Sequence, residues 1–360
     1  MEIGIVGLPR SGKTTLFNSL TRAKAETRAF AASGVEPNLG VVKVPDGRLE
    51  GLQALLKPKR LVPAEVKYVD VAVSSERKDG LSGPARSHLT KTDALIGVVR
   101  AFTDEAVPSS GGVDPWRDIG ALDADLVLAD LVIGEHRLLR IGESLKGARS
   151  PERENLVKEQ AFVERIRATL ESGVPVRDQS LSKDEARVAE SYQFLSNKPL
   201  LIVLNVGENQ LPQATAMEEE AKRRYPRFNA AAICAKLEME LAQLSDAEAA
   251  EFRSAMGVSE GAMARIVRLS LELLGMISFF SIASGEVRAW TVKAGTPAPR
   301  AAGRIHSDME RGFIRAEVVA YGDLVKCGSL AEAKKHGLLR LEGKNYVVQD
   351  GDVITFLFSV

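Results

Sequence analysis

The first chemically informative pattern lies at the start of the chain, where two glycines frame a short loop that ends in Lys and Thr. The loop, Gly7-Leu8-Pro9-Arg10-Ser11-Gly12-Lys13-Thr14, follows the apolar run Ile3 to Val6 and opens a helical stretch. In this context the glycines let backbone N–H groups converge on a phosphate, and the helix N-terminus adds its positive dipole. The sequence therefore predicts a P-loop. The predicted phosphate-contacting residues are Gly7, Pro9, Arg10, Ser11, Gly12, Lys13, Thr14 and Thr15.

Two side chains are suited to hold the Mg²⁺ ion that accompanies a nucleoside triphosphate. The hydroxyl of Thr14 is expected on the metal, and Asp70, which ends the run Tyr68-Val69-Asp70, is the natural Walker-B carboxylate. Lys13 is expected to bridge the β- and γ-phosphate oxygens. The alternative for Asp70 is an aspartate that only ends a strand.

A largely parallel α/β sheet must position these residues. Short β-branched runs alternate with helix-like stretches, which is typical of a sheet buried on both faces. The predicted strands are Ile3 to Val6, Val41 to Val44, Tyr68 to Val71, Leu95 to Val99, Leu200 to Leu204 and Ala231 to Ile233. The gap of about a hundred residues before the last two strands predicts an insertion.

The insertion, residues 118–196, has apolar residues at helical spacing among many charges. Leu122, Leu126 and Ile133 mark one helix, and Val163 and Ile166 mark another. The turn residues around Pro151 separate them. We predict a projecting α-helical hairpin; helices that only cover the sheet are the alternative.

The C-terminal residues, 277–360, carry a different pattern. Strand-like runs occupy Val287 to Val292, Phe313 to Val319, Tyr346 to Val348 and Val353 to Phe358, with short helices around Asp323 and Leu330. This pattern predicts a small mixed β module of the ubiquitin-like kind. The predicted nucleotide-binding domain then comprises residues 1–117 and 197–276.

Several motifs together resemble the YchF/Obg-like ATPase family. They are the P-loop with its continuation Thr15-Leu16-Phe17-Asn18, the stretch Val35-Glu36-Pro37-Asn38-Leu39-Gly40, and the C-terminal Glu286-Val287-Arg288-Ala289-Trp290-Thr291 and Gln349-Asp350-Gly351-Asp352. The resemblance covers nearly the whole chain. It implies an α/β fold with a Ras-like P-loop NTPase domain, an inserted α-helical hairpin and a C-terminal β-grasp domain of the TGS type. It also implies ATP or ADP with Mg²⁺ as ligands, and an ATPase that works on or near the ribosome or RNA.

The base-reading residues differ from those of a GTPase. After the strand Leu200 to Leu204 the chain reads Asn205-Val206-Gly207-Glu208, where GTPases carry Asn-Lys-x-Asp. The longer Glu208 carboxylate fits the guanine edge poorly, and a lost hydrogen bond in such a site is costly. The resemblance points to adenine, because the family has Asn-x-x-Glu here. It also identifies Cys234-Ala235-Lys236 as the second base-contact loop. The predicted base-contacting residues are Asn205, Val206, Glu208, Cys234, Ala235 and Lys236; ordinary polar residues at a strand end are the alternative.

The chain departs from the family on the γ-phosphate side. The glycine of the Asp-x-x-Gly switch is Val73, and the switch-I Thr aligns with Gly34. The loop around Pro108-Ser109-Ser110 lacks the family's hydrolytic histidine, and Ser74 to Gly80 lacks its Gly- and Lys-rich stretch. No replacement base is evident, so the catalytic residue is unknown. His88, for which a structural role is favoured, and Ser75 are the first candidates.

Composition names no partner by itself. The 360 residues include 48 Lys and Arg and 48 Asp and Glu, which removes a global charge argument for nucleic acid or membrane. Only Cys234 and Cys327 are present, and no secretory leader or membrane-length apolar run is seen, so we expect a cytoplasmic protein without a membrane or DNA-sequence target.

Three functions compete at this point. The first is a slow ATPase switch associated with the ribosome or RNA. The second is a non-hydrolysing nucleotide-binding adaptor that binds RNA or protein through its hairpin and TGS-like module. The third is a P-loop metabolite kinase, which the lack of a lid-like Arg cluster disfavours.

Overall fold

The computed structural model describes residues 1–22, 37–71, 81, 83–104, 111–255, 261–283 and 285–359. The strands are β1 (Glu2–Gly7), β2 (Asn38–Lys43), β3 (Arg60–Val62), β4 (Glu65–Asp70), β5 (Ala94–Arg100), β6 (Leu200–Asn205), β7 (Asn229–Ile233), β8 (Met276–Ala283), β9 (Glu286–Lys293), β10 (Phe313–Ala320), β11 (Arg340–Glu342) and β12 (Asp352–Phe358). The helices are α1 (Lys13–Thr21), α2 (Gly47–Leu56), α3 (Gly83–Leu89), α4 (Pro115–Leu145), α5 (Glu152–Glu171), α6 (Lys183–Tyr192), α7 (Ala214–Arg224), α8 (Ala235–Leu241), α9 (Asp246–Ala255), α10 (Ala262–Leu273), α11 (Ala298–Ile305), α12 (Ser307–Arg311), α13 (Tyr321–Cys327) and α14 (Leu330–Lys335). None of the helices in these ranges is long and apolar enough to cross a membrane.

The first of two compact units comprises Met1–Gly40 and Lys67–Met263. Its sheet has the order β2-β4-β1-β5-β6-β7, and β1 pairs in parallel with both β4 and β5. Strands β5 and β6 are buried at every residue, which explains their continuous apolar sequences, because helices cover both faces of such a sheet. The predicted α/β sheet is confirmed.

The inserted helical hairpin is also confirmed. Helix α4 begins at an N-cap, Asp114, whose carboxylate accepts hydrogen bonds from two backbone N–H groups, and Pro115 follows at the first helical position. The first part of α4 packs on the sheet core through Leu122 and Leu126. Farther along, a separate core joins α4 to α5 and α6; its buried members include Val127, Ile141, Phe162, Val163, Ile166, Leu170 and Ala189. The insertion therefore packs on the sheet near its two ends, in the first part of α4 and at Leu195.

A buried carboxylate fastens this hairpin at its base. Asp130 of α4 is 0% exposed, and its two oxygens accept hydrogen bonds from the backbone N–H groups of Leu195 (2.6 Å) and Ser196 (2.8 Å). Burial raises the pKa of Asp130 to about 6, although these donors oppose the shift. Arg177 adds an ion pair to Asp123 of the same helix and a hydrogen bond to the Ser196 carbonyl. Asp130 therefore caps the turn that leads into β6.

The second compact unit comprises Val41–Val66 and Ala264–Val360. Its sheet has the order β11-β10-β12-β8-β9-β3, with β8 and β9 antiparallel and β12 and β8 parallel. Its core contains Phe279, Val292, Phe313, Val318, Ile354, Phe356 and the alanines of α11. This mixed sheet confirms the predicted ubiquitin-like β-grasp fold.

Part of this sheet comes from near the start of the chain. Strand β3 pairs in parallel with β9, Val62 lying opposite Arg288. The guanidinium of Arg48 bonds Asp46 and Asp350 at 2.8 Å each and lies 5.3 Å from the centre of the Phe280 ring. Residues 41–66 thus lie in this unit, whereas the predicted domain bounds place them with the nucleotide-binding residues.

One predicted strand is absent from the described residues. Tyr346 to Val348 makes only an isolated bridge, between Val347 and Pro297. The Tyr346 carbonyl accepts from the Ala298 N–H, and the Val348 N–H donates to the Thr296 carbonyl. This segment therefore pairs with the irregular chain before α11, and the strand prediction was wrong here.

Candidate nucleotide-binding site

The phosphate loop joins β1 to α1 in a conformation that requires glycine at both ends. Gly12 has φ 97°, and a Cβ built on it would lie 2.2 Å from the side-chain Nδ2 of Asn205. A Cβ on Gly7 would lie 2.4 Å from the Val98 carbonyl oxygen. A side chain at Gly7 would therefore clash with β5, and one at Gly12 would clash with Asn205 of β6.

The cationic side chain of the loop is held over the turn. Lys13 Nζ donates to the carbonyl oxygens of Gly7 and Leu8, both at 3.0 Å. Pro9 and Arg10 are exposed on the outside of the turn, and Arg10 has a positive φ of 63°. An ammonium fixed in this way is suited to bind phosphate as a point charge.

The next residues connect the loop to its surroundings. The Ser11 carbonyl accepts from Asn205 Nδ2 at 2.9 Å, while its buried hydroxyl has no hydrogen-bond partner among the described residues. The Thr15 carbonyl accepts from the Ser19 hydroxyl, which also contacts the Ala235 carbonyl at 3.1 Å. Ser19 therefore links α1 to α8, a role that no motif in the sequence indicates.

The predicted metal-binding pair is brought together. Thr14 Oγ1 donates to Asp70 Oδ2 at 2.9 Å, and Asn38 Nδ2 donates to the same oxygen at 3.3 Å. Parallel pairing of β1 with β4 sets Ile5 opposite Asp70 and thereby places the carboxylate beside the loop. Asp70 is only 3% exposed, and within the described part of the chain its Oδ1 has no hydrogen-bond partner.

These oxygens fit Mg²⁺. A buried carboxylate oxygen without a donor and a neighbouring hydroxyl are hard ligands, and Mg²⁺ bound with a nucleotide takes few ligands from the protein. The described residues contain no group of three or more His, Cys, Asp or Glu arranged to hold a metal.

The predicted base-contacting residues have distinct surroundings. Asn205 is 5% exposed; its Nδ2 bonds the Ser11 carbonyl, and its Oδ1 accepts from the Ala235 N–H at 3.1 Å. It thus connects the phosphate loop to the second base loop. Val206 is 1% exposed and packs in the sheet core, so its side chain does not line a base surface.

The exposed part of this region carries an ion pair. Lys236 Nζ lies 3.7 Å from Glu208 Oε1, with side chains 71% and 53% exposed. Cys234 and Ala235 are buried beneath it, and burial raises the pKa of the Cys234 thiol. The buried thiol therefore serves in packing, and the contacts of Glu208 and Lys236 with a base stay predictions.

Several predicted residues lie outside the described ranges. They are Ser33, Gly34, Val73, the segment 74–80 that includes Ser75, and Pro108 to Ser110. His88 is described; it is half-buried near the end of α3.

The chain matches known proteins over its whole length. A family profile described as a 50S ribosome-binding GTPase matches residues 2–127, and the C-terminal profile of YchF GTPases, described as a protein of unknown function, matches residues 276–359. The ribosome-binding ATPase YchF of Bacillus subtilis is 40% identical over 368 residues, covering 100% of both chains. The protein of the same name from Escherichia coli O157:H7 is 36% identical, covering 100% of this chain and 99% of its own.

A solved structure supports the same assignment. The Schizosaccharomyces pombe YchF GTPase superposes with a TM-score of 0.84 at 28% identity, covering 99% of this chain and 97% of its own. Full-length identity of this size, joined to a superposition that covers 99% of the chain, identifies the chain as a member of the YchF family.

Proposed function

We propose that this protein binds ATP in preference to GTP, hydrolyses it slowly and acts as a switch associated with the ribosome or RNA. The observation that carries the proposal is the assembled phosphate site, in which Lys13, Thr14 and Asp70 converge at the end of β1. The macromolecular partner comes from the relatives, which are named ribosome-binding ATPases. The hairpin, residues 118–196, and the TGS-like residues 277–360 are the proposed partner-binding parts.

The protein's own groups divide the phosphate contacts among them. The N–H groups of the Gly7 to Thr15 segment donate to phosphate oxygens, aided by the N-terminal dipole of α1. Lys13 exchanges its two carbonyl contacts for phosphate. Thr14 and Asp70 hold Mg²⁺, which supplies charge neutralisation to the phosphate oxygens when bound.

Preference for adenine rests on the base side. The Glu208 carboxylate is already paired with Lys236, and the buried Val206 replaces the lysine that GTPases stack on guanine. Competition of ATP and of GTP against bound fluorescent ADP tests the preference for adenine. Glu208→Asp is the matched variant, and it should reduce the preference for ATP over GTP. A GTP advantage of about tenfold, or about 1.4 kcal/mol, in the wild type would overturn the assignment.

Slow hydrolysis follows from the changed switch residues. A switch needs contacts that only the triphosphate state makes, and Gly34 and Val73 replace the Thr and Gly that usually make them. We therefore expect ATP and ADP affinities within about tenfold of each other. Val73→Gly with Gly34→Thr should raise the ATP preference more than either change alone, and the two effects should be non-additive, since both act on one metal–phosphate cluster.

The same replacements favour the second candidate, an adaptor that binds nucleotide without hydrolysing it. Single-turnover assays with radiolabelled ATP, run beside Lys13→Ala, separate the two. Slow turnover that disappears in Lys13→Ala supports the ATPase. Turnover equal in both proteins, or none, favours the adaptor, and fast Lys13-dependent turnover shows that another residue serves as the catalytic base.

A further inference from the structure

We propose that Asn38 is a positioning residue for Asp70: its amide holds Oδ2 of the carboxylate so that Oδ1 remains directed to Mg²⁺. The inference rests on the proposed nucleotide site. It concerns a residue for which the sequence motifs indicate no role.

The hydrogen bonds of Asp70 are unevenly shared between its two oxygens. Thr14 Oγ1 and Asn38 Nδ2 both donate to Oδ2, at 2.9 and 3.3 Å, whereas Oδ1 is buried and has no partner among the described residues. A buried acceptor without a donor destabilises the folded protein, and more so when the acceptor is charged. A ligand that reaches Oδ1 relieves this cost.

The donors suit a metal site. The carboxylate only accepts hydrogen bonds, so the amide atom that faces it is the nitrogen. Thr14 gives its hydroxyl proton to Oδ2 and keeps its own lone pairs for the cation. Asn38 adds a second donor that is uncharged and does not titrate, so Oδ2 is occupied twice without a cation that would compete with Mg²⁺.

The fold fixes Asn38 relative to the helix that carries Thr14. Asn38 opens β2, which lies beside β4, the strand that ends at Asp70. Two residues later, a Cβ on Gly40 would lie 2.2 Å from Thr21 Cγ2, so β2 approaches the end of α1 closely. The amide is therefore held from β2, while the hydroxyl is held from α1.

The arrangement also bears on the switch-I position. Gly34 has no hydroxyl that could bind the metal. Asn38, four residues later, donates a hydrogen bond to Asp70, the predicted metal-binding carboxylate. Asn38 thus orders the metal site from the strand that follows switch I.

The test measures Mg²⁺ dependence separately from nucleotide binding. Fluorescent ADP is bound to the full-length protein, and its dissociation rate is followed as Mg²⁺ is titrated, with an EDTA reference. The variants are Asn38→Ala, Asn38→Leu, which keeps the side-chain shape without the donor, and Asn38→Gln, which keeps the amide. Leu39→Ala is the control, because Leu39 is the next residue of β2 and is 70% exposed.

We expect Asn38→Ala and Asn38→Leu to need about five- to tenfold more Mg²⁺ for half of the change in the ADP dissociation rate, as for the loss of one hydrogen bond of ordinary strength. Their ADP affinity in EDTA should stay within about twofold of wild type. Asn38→Gln should recover part of the response, and Leu39→Ala should match wild type. If Asn38→Ala unfolds the protein, the Asn38→Leu and Asn38→Gln variants decide.

Three outcomes overturn the proposal. The first is an unchanged Mg²⁺ midpoint in the Asn38 variants, and the second is a wild-type midpoint in Asn38→Leu alone. The third is an equal loss of ADP affinity with and without Mg²⁺, which would mark a merely structural role. Failure of the proposed nucleotide site looks different, because wild-type protein would then not bind fluorescent ADP at all.

Discussion

Asp70 at the phosphate loop and Asp130 at the base of the hairpin are both nearly fully buried, yet they are satisfied in opposite ways. Asp130 uses both oxygens, each accepting a backbone N–H, whereas Asp70 receives two side-chain donors on one oxygen and none on the other within the described residues. The difference shows how burial alone fails to separate a structural carboxylate from a ligand-binding one. The distribution of donors over the two oxygens separates them.

The two carboxylates should differ most in how much their alanine variants lower the stability of the protein. Asp130→Ala should lower the free energy of unfolding by about 3 kcal/mol, because two buried N–H groups lose their acceptor. Asp70→Ala should cost about 1 kcal/mol or less, since it also removes a buried oxygen that lacks a donor. Urea unfolding without nucleotide measures both, and equal costs would refute the distinction.

Nucleotide affinity should depend on the phosphate loop and not on the carboxylate at the base of the hairpin. Lys13→Ala should weaken fluorescent-ADP binding by about 2 kcal/mol, roughly thirtyfold, because it removes the charged phosphate contact. Asp130→Asn should leave that affinity unchanged, and Lys158→Ala, on the exposed surface of α5, serves as the charge-matched control. Superimposable titration curves for wild type and Lys13→Ala would contradict the site.

Asp130 should also give the protein a pH signature. Its folded-state pKa of about 6 lies above the ordinary value of 3.8, so the folded state holds the proton more tightly. The contribution of this group to stability therefore rises as pH falls through about 6 and is lost as pH rises again. Between about pH 7.5 and about pH 5, wild type should gain about 1 kcal/mol relative to Asp130→Asn. Urea unfolding at the two pH values tests this prediction. Asp184→Asn is the control, because the Asp184 side chain is 92% exposed. Parallel pH profiles of stability for wild type and Asp130→Asn would contradict the prediction.

The smallest effect is expected at the exposed ion pair. Lys236→Ala should change ATP affinity by less than about 1 kcal/mol, about fivefold, because water screens a pair as exposed as Lys236 and Glu208. Competition titration at low and high salt measures it. A larger, salt-independent loss would mean that the contact of Lys236 with the nucleotide is shielded from water.

Local patterns were enough to predict much of the molecule. The P-loop, the Asp70 strand and the hairpin follow from spacing within a few residues, which is why they were correctly placed. Strand β3 has only three residues and pairs with β9 far along the chain, so no local pattern could reveal it. Asp130 carried a readable signal, because it follows Leu126 at helical spacing on an apolar face, but a lone aspartate does not name its partners. The role of Asn38 depends on two strands meeting side by side, which one sequence does not show.

The origin of strand β3 also has a consequence for the order in which the chain is made. Strand β3 leaves the ribosome about 220 residues before the strand with which it pairs. At about 5–20 residues per second, it waits about 10 to 40 seconds for that partner. Arg48 waits longer, because its partner Asp350 lies 302 residues farther along the chain. The β-grasp unit therefore completes its sheet only after β12 has been synthesised, and a chain that stops before β9 leaves β3 without its pairing strand.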